Sequence, residues 1–253
     1  MKLFFAMFLI GLNASAASYH MVHSYPQGGP KLGDTTVIEF QLFRGTDTTP
    51  LTAADLLVEH EKLIHMMCVD SGFQQYRHEH PAEISPGVWQ VPVVLDTAGN
   101  YRFFLQFLPD GEITTKTVVF DDKFVENPDQ VISTTPVHPE TKLTFEEGEF
   151  KVTLSYPAEP EIKKILLAEF TVEKNGVAIP LQELDNYLGA KMHIAAISAD
   201  KNDFVHAHPE ESGVVKVYFK QTGFYGIFMQ FQYKGELHTN QFALQVKPAP
   251  SRE

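Results

Sequence analysis

At a prior of roughly 150 residues per domain, 253 residues point to about two domains, and a 43% hydrophobic, 12% aromatic composition gives each a core and excludes disorder as the default state. Twenty Lys and Arg against 32 Asp and Glu leave a formal net charge of −12, which argues against nucleic acid, whose phosphates demand cations, and against anionic membrane surfaces. A single cysteine, Cys68, excludes an intramolecular disulfide, so stability is expected from packing or from a bound metal ion.

In chain order, Lys2, the apolar run Leu3 to Leu12 and the small residues Ala14-Ser15-Ala16-Ala17 have the form of a secretory signal peptide, expected over residues 1–17. The run is about ten residues, half of what a bilayer requires, and no later stretch approaches a membrane span. Within 18–121, short β-branched and aromatic segments at Thr36 to Phe43, Trp89 to Leu95, Tyr101 to Leu108 and Thr114 to Phe120 are separated by Gly, Pro, Asp and Asn clusters, which is a strand and turn pattern. Thr52 to Leu63, rich in Ala, Leu and Glu, is the one segment that reads as a short helix. Residues 122–142 hold Pro128, Pro136 and Pro139 and read as a linker. Within 143–247 the strand pattern returns at Phe150 to Tyr156, Leu166 to Glu173, Lys191 to Ser198, Val214 to Lys220, Tyr225 to Tyr233 and Leu237 to Val246. Six or seven short strands in about a hundred residues suggest a two-sheet sandwich.

The second segment is a copy of the first. At an offset drifting from about 131 to about 124, Tyr25-Pro26 falls on Tyr156-Pro157, Glu39-Phe40 on Glu169-Phe170, Phe104-Leu105-Gln106-Phe107 on Phe228-Met229-Gln230-Phe231 and Gly111-Glu112 on Gly235-Glu236. Order is kept and the slips fall in turns. The expected fold is therefore all-β, two tandem immunoglobulin-like β-sandwich domains.

The copies share histidines. His65 falls on His193, and His78-Glu79-His80-Pro81 on His206-Ala207-His208-Pro209. Residues i and i+2 of a strand share a face, so each His-x-His pair looks one way, and two imidazoles so placed reach one ion at about 2.0 to 2.1 Å per bond. The thirteen residues from His65 to His78, and from His193 to His206, fit a strand, a turn and a return strand. His238 offers a fourth ligand in copy two, where copy one has Thr114; copy one is left to His60, His20, His23, Met67 or water. Imidazoles suit zinc, copper or nickel rather than calcium or magnesium, and affinity order favours copper, with zinc close behind. A structural or pH-responsive histidine cluster stays open beside this reading, because Tyr76 and Phe204 share the parity of the pairs. Cys68 lies opposite in parity to His65 and reads as a buried thiol, and Met67 and Met192 read as packing residues with a soft ligand role as the alternative.

Tyr187-Leu188-Gly189-Ala190, His193, Phe204 to Pro209, Gly223-x-Tyr225, Gln230-Phe231 and Gly235-x-x-His238-Thr239 together resemble a group of secreted bacterial immunoglobulin-like domains, similar to the copper-associated YtkA-like and FixH-like domains. The resemblance covers most of copy two and implies a sandwich fold, a secreted or periplasmic setting and an association with heavy-metal handling. Copy one departs from it at Glu59-His60-Glu61-Lys62 and lacks a histidine after Gly111, which leaves an equivalent second site open.

The expected function is a non-catalytic periplasmic or secreted metal-binding protein that sequesters or delivers copper or zinc through His193, His206, His208, His238, His65, His78 and His80. The alternative is a metal-free structural module that engages a periplasmic or cell-surface protein. No nucleophile elbow, phosphate loop, His-Glu-x-x-His or dinucleotide fingerprint is present, so no enzyme is expected.

Overall fold

The computed structural model describes residues 18–125 and 140–249. The expected signal peptide and residues 126–139 of the expected linker lie outside the described residues. Strand β1 is Tyr19–Ser24, β2 Thr35–Arg44, β3 Leu56–Leu57, β4 Ile64–Asp70, β5 Tyr76–Glu79, β6 Ala82–Ser85, β7 Val88–Val94, β8 Gly99–Pro109 and β9 Lys116–Phe124. The second repeat holds β10 (Thr144–Glu147), β11 (Phe150–Ser155), β12 (Ile165–Lys174), β13 (Val177–Ile179), β14 (Met192–Ser198), β15 (Phe204–Ala207), β16 (Val214–Tyr218), β17 (Gly223–Tyr233) and β18 (Glu236–Val246).

The apolar period of two builds these strands. In β2, Thr36, Ile38, Phe40 and Leu42 are buried and alternate with more open neighbours, as a strand with one face on a core requires. Each repeat is a two-sheet sandwich. In the first, β1-β2-β7-β6 packs on β5-β4-β8 with β9 and the short β3 also pairing β8, around a core that includes Ile38, Phe40, Ile64, Met66, Trp89 and Phe103. In the second, β10-β11-β12-β13 with β16 packs on β15-β14-β17-β18 around Val152, Leu154, Ile194, Val215, Met229 and Phe242. No helix among the described residues is long and apolar enough to cross a membrane.

The helix expected over Thr52 to Leu63 does not form. A single 3-10 turn at Ala53–Asp55 is closed by Asp55, whose carboxylate accepts from the Thr52 amide at 2.8 Å, and the chain then extends into β3 so that Leu56 enters the core. Residues His60 and Glu61 follow with φ of 45° and 66°, the two consecutive left-handed residues of a hairpin turn, and no helix continues through them. Local propensity loses to burial of Leu56 and to the turn.

The fully buried strands β4 and β14 decide how the repeats sit. Ile64, Met66 and Cys68 point into the first sandwich, yet Met67 and Val69, on the opposite face, are equally buried. What covers them is the second repeat: Met67, Val69, Phe73, Tyr76 and Phe104 form one apolar layer with Ala195, Ile197, Phe204 and Phe228. Two stacked pairs, Tyr76 on Phe228 and Phe104 on Phe204, each have ring centroids 4.5 Å apart. Because Phe104 corresponds to Phe228 and Tyr76 to Phe204, the two pairs are images under a pseudo-twofold exchange of the repeats. Phe73 presses on Gly226, where a Cβ would lie 2.5 Å from its ring, and Gln241 donates to the Phe73 carbonyl at 2.6 Å. Arg102 donates to the Lys201 carbonyl at 3.1 Å, and Lys201 to that of Ser71 at 3.1 Å.

Candidate metal centre

The hairpins β4–β5 and β14–β15 explain the histidine spacing. Met67 pairs with His78 and Met66 with Glu79, so one further step sets His65 opposite His80. Ala195 pairs with His206 and Ile194 with Ala207, which sets His193 opposite His208. All six histidines therefore stand on the sheet faces that the two repeats turn toward each other, and they assemble as two triads in one cluster.

In the first triad, His65 Nδ1 lies 3.3 Å from His78 Nε2 and 3.0 Å from His80 Nε2. In the second, His193 Nδ1 lies 3.5 Å from His206 Nε2 and 2.9 Å from His208 Nε2. Across the interface, the His78 ring is 4.9 Å from that of His193 and 5.1 Å from that of His206, and His65 is 5.2 Å from His206. The ring nitrogens that His65, His78 and His80 could offer to an ion fall within 4.8 Å of one another, and so do those of His78, His193 and His206.

Groups outside the cluster fix which nitrogen faces inward. His65 Nε2 donates to the Glu59 carbonyl at 3.0 Å and His193 Nε2 to the Tyr187 carbonyl at 2.7 Å, so both rings turn a bare Nδ1 to their triad. His206 Nδ1 donates to Gln106 Oε1 at 2.8 Å, a contact that crosses from one repeat to the other, and leaves Nε2 bare. The Gln106 amide is itself held, donating to Thr115 Oγ1 at 3.3 Å. The exchange-related pair is His78 with Gln230: Gln230 donates to Thr239 Oγ1 at 3.0 Å, while His78 Nδ1 and Gln230 Oε1 are buried and unpaired among the described residues.

Burial holds the cluster neutral. Desolvation, reinforced by neighbouring imidazoles, pushes His78 and His206 well below the usual histidine range, and desolvation first of all lowers His65 as well. The same cause brings His193 down to about 4, His80 to about 3 and His208 to about 2. Neutral imidazole is the ligating form. His65, His78 and His193 are at most 3% exposed, whereas His80, His206 and His208 are only partly buried, so the cluster opens on the His80 and His208 side.

Two expectations are corrected. His238 does not join the cluster: on β18 it pairs with Phe231 of β17, so its side chain is on the core side, with its ring centroid 4.3 Å from that of Phe150 and 4.8 Å from that of Phe231, whereas His193 pairs with Gln230 on the other face. The departure of copy one from the motif does not cost it the matching turn. Glu59-His60-Glu61-Lys62 forms the same bridged turn as Tyr187-Leu188-Gly189-Ala190, each with two left-handed central residues and each presenting its first carbonyl to a cluster histidine. His20 and His23 lie on β1 of the far sheet, against Phe43 and Asp122, and take no part. Met192 is in the core of the second sandwich, Met67 in the layer between repeats, and Cys68 is a free, buried thiol whose desolvation raises its pKa.

Sequence reasoning gave Gln106 and Gln230 no role, although their recurrence beside Phe107 and Phe231 was visible. His60, expected among the residues that could complete the site of copy one, instead approaches the other repeat: this exposed residue has its ring centroid 3.7 Å from that of His208, tilted by 41°. Gly189 makes that approach feasible, since a Cβ there would lie 2.8 Å from the His60 backbone.

Fold and site define a tandem β-sandwich protein whose repeats enclose a shared histidine cluster. The chain belongs to the family described as domain of unknown function DUF8832, whose model matches residues 15–123 and 138–248, one match per repeat. No curated protein matches. Among solved structures, similarity extends to trypsin-activated alpha-2-macroglobulin from Escherichia coli (12% identity, 92% of this chain, 16% of that one, TM-score 0.26) and to MtrC from Shewanella baltica OS185 (7%, 92%, 71%, 0.26). Staphylococcus aureus TarS is similar at 9% identity over 93% of this chain and 36% of that one, with a TM-score of 0.24. The chain thus spans about a sixth of the alpha-2-macroglobulin.

Proposed function

We propose that this protein binds copper, with zinc as the second choice, through His65, His78, His80, His193, His206 and His208, and that it sequesters or delivers the ion in a secreted or periplasmic setting without catalysing a reaction. The observation that carries the reading is in the second triad. His193 Nδ1 and His206 Nε2 face each other at 3.5 Å, and both are lone pairs because their protons are committed to Tyr187 and Gln106. Two lone pairs at that distance repel unless a cation lies between them. Ligands on one tetrahedral ion at 2.0 to 2.1 Å are about 3.3 to 3.4 Å apart, close to the 3.5 and 3.3 Å spacings; the contacts of 2.9 and 3.0 Å need open by only a few tenths of an ångström. All-imidazole donors favour copper by the affinity order of divalent ions. The secreted or periplasmic setting is supported by the signal-like sequence of residues 1–17.

The second reading, a metal-free interaction module, draws on the apolar layer that joins the repeats through Tyr76, Phe104, Phe204 and Phe228. Metal content decides between them. Protein purified without an affinity tag is expected to retain copper or zinc, and a metal-depleted sample to gain about 2.7 kcal/mol of stability at 100 times the dissociation constant. In a His206→Ala/His208→Ala double variant the second triad's share of both effects should vanish. Unchanged thermal stability on addition of either ion would leave the module reading standing.

A further inference from the structure

We infer that the cluster is a dinuclear centre: each repeat's triad holds its own ion, and the two ions share one bridging hydroxide across the interdomain interface. The inference rests on the metal reading above and goes beyond it in stoichiometry and in coupling. One ion could instead sit centrally among His78, His193 and His206, whose nitrogens lie within 4.8 Å of one another. That arrangement strands His65, His80 and His208. It also ignores the Glu59 and Tyr187 carbonyls, which turn His65 Nδ1 and His193 Nδ1 each toward the two other histidines of its own repeat. Six inward-facing imidazoles in two sets of three match two ions.

Three imidazoles per ion leave a fourth position open in a four-coordinate site. The triads interleave at His78, His193 and His206, so the two open positions are within reach of a single small ligand, as in two-metal sites with ions about 3.5 to 4 Å apart. Charge requires that ligand to be an anion. Repulsion between two dications is four times that of unit charges at the same distance, and the six ligands are neutral. Water is the available source: a bridging water gives up one proton to solvent and remains as hydroxide, so loading two divalent ions releases one proton from that step.

Metal-depleted protein titrated with Cu(II) tests this. The expected result is two ions per chain, with the second accompanied by loss of the electron paramagnetic resonance signal of the first through magnetic coupling. A His65→Ala/His80→Ala variant should bind one ion and show an uncoupled mononuclear signal, and His193→Ala/His208→Ala should mirror it. Circular dichroism of each variant checks the fold, and the wild-type titration stands alone if a variant fails it. One ion per wild-type chain overturns the dinuclear centre while leaving metal binding intact. Two ions with full uncoupled signal overturn the bridge, and no binding overturns both readings.

Discussion

Gln106 belongs to the first repeat yet governs a histidine of the second, which makes Gln106→Leu the sharpest perturbation of the site. Its Oε1 accepts the His206 Nδ1 proton at 2.8 Å and thereby keeps His206 Nε2 bare for an ion. Leucine fills a similar volume but accepts nothing, so an N–H inside the cluster loses its partner, at a cost of about 1 to 3 kcal/mol. Released from that bond, His206 is free to move its proton to Nε2, which blocks the ligand position. Groups that orient a metal-bound histidine typically control affinity 10- to 100-fold, equivalent to about 1.4 to 2.8 kcal/mol, in agreement with the hydrogen-bond figure. Competition with a chelator of known affinity should therefore show the second triad weakened by about 10- to 100-fold and the first changed by less than about threefold. Gln106→Glu, which keeps an acceptor, should restore binding. A loss confined to the first triad, or none beyond about threefold, would refute the assignment of Gln106 to the opposite repeat's site.

His238→Phe should leave metal stoichiometry and affinity unchanged, because the ring is on the core side of β18; it should also raise stability by about 1 kcal/mol, since His238 Nε2 is buried with no hydrogen-bond partner among the described residues and phenylalanine packs there without that atom. A denaturation series with metal titrations reads both, and weakened binding would return His238 to the ligand set. For the metal-free protein, the depressed histidines set the sign of the pH dependence. Below about 6.5 the unfolded chain protonates histidines that the folded chain keeps neutral down to about 4 at His193, about 3 at His80 and about 2 at His208. Stability is thus complete above about 6.5 and falls as pH falls from there toward about 4, by about 1.4 kcal/mol per pH unit for each histidine that stays neutral. Urea midpoints at pH 7.5 and 5 check this, and equal midpoints would contradict it.

The strands and the duplication were legible because they depend on local pattern. The period of two in Thr35–Arg44, the Gly and Pro punctuation, and the recurrence of Phe104-Leu105-Gln106-Phe107 as Phe228-Met229-Gln230-Phe231 need no tertiary information. The triads were legible for the same reason: in an antiparallel hairpin the gaps from His65 to His80 and from His193 to His208 bring each pair face to face. What misled was incomplete parity. His238 follows a glycine and looks like a fourth ligand, but its neighbour across the ladder is Phe231 rather than Gln230, and a shift of one residue moves a side chain to the other face. The Thr52 to Leu63 helix failed because propensity carries no knowledge of where Leu56 must be buried. That the two triads would meet was invisible, although one trace of it was present: Ile64-His65-Met66-Met67-Cys68-Val69 and Met192-His193-Ile194-Ala195-Ala196-Ile197 are nearly continuous apolar runs, the mark of strands covered on both faces.

That double covering ties the site to the association of the repeats. A lone first repeat would present Met67, Val69, Tyr76 and Phe104 to water as one apolar patch, which folded proteins seldom leave bare. Its duplicate carries the matching face and covers the patch by a twofold-like exchange in which Tyr76 meets Phe228 and Phe204 meets Phe104. His78 shares β5 and parity with Tyr76, His206 shares β15 and parity with Phe204, and His65 and His193 stand on the adjoining β4 and β14, so the contact that buries the rings also brings His78 beside His193 and His206, and Gln106 onto His206. Burial then keeps the imidazoles neutral, and the crossing hydrogen bond sets the tautomer of one of them. The burial of both half-sites and the orientation of His206 depend on the other repeat being in place, so metal affinity and interdomain packing should rise and fall together along any series of substitutions in the aromatic layer.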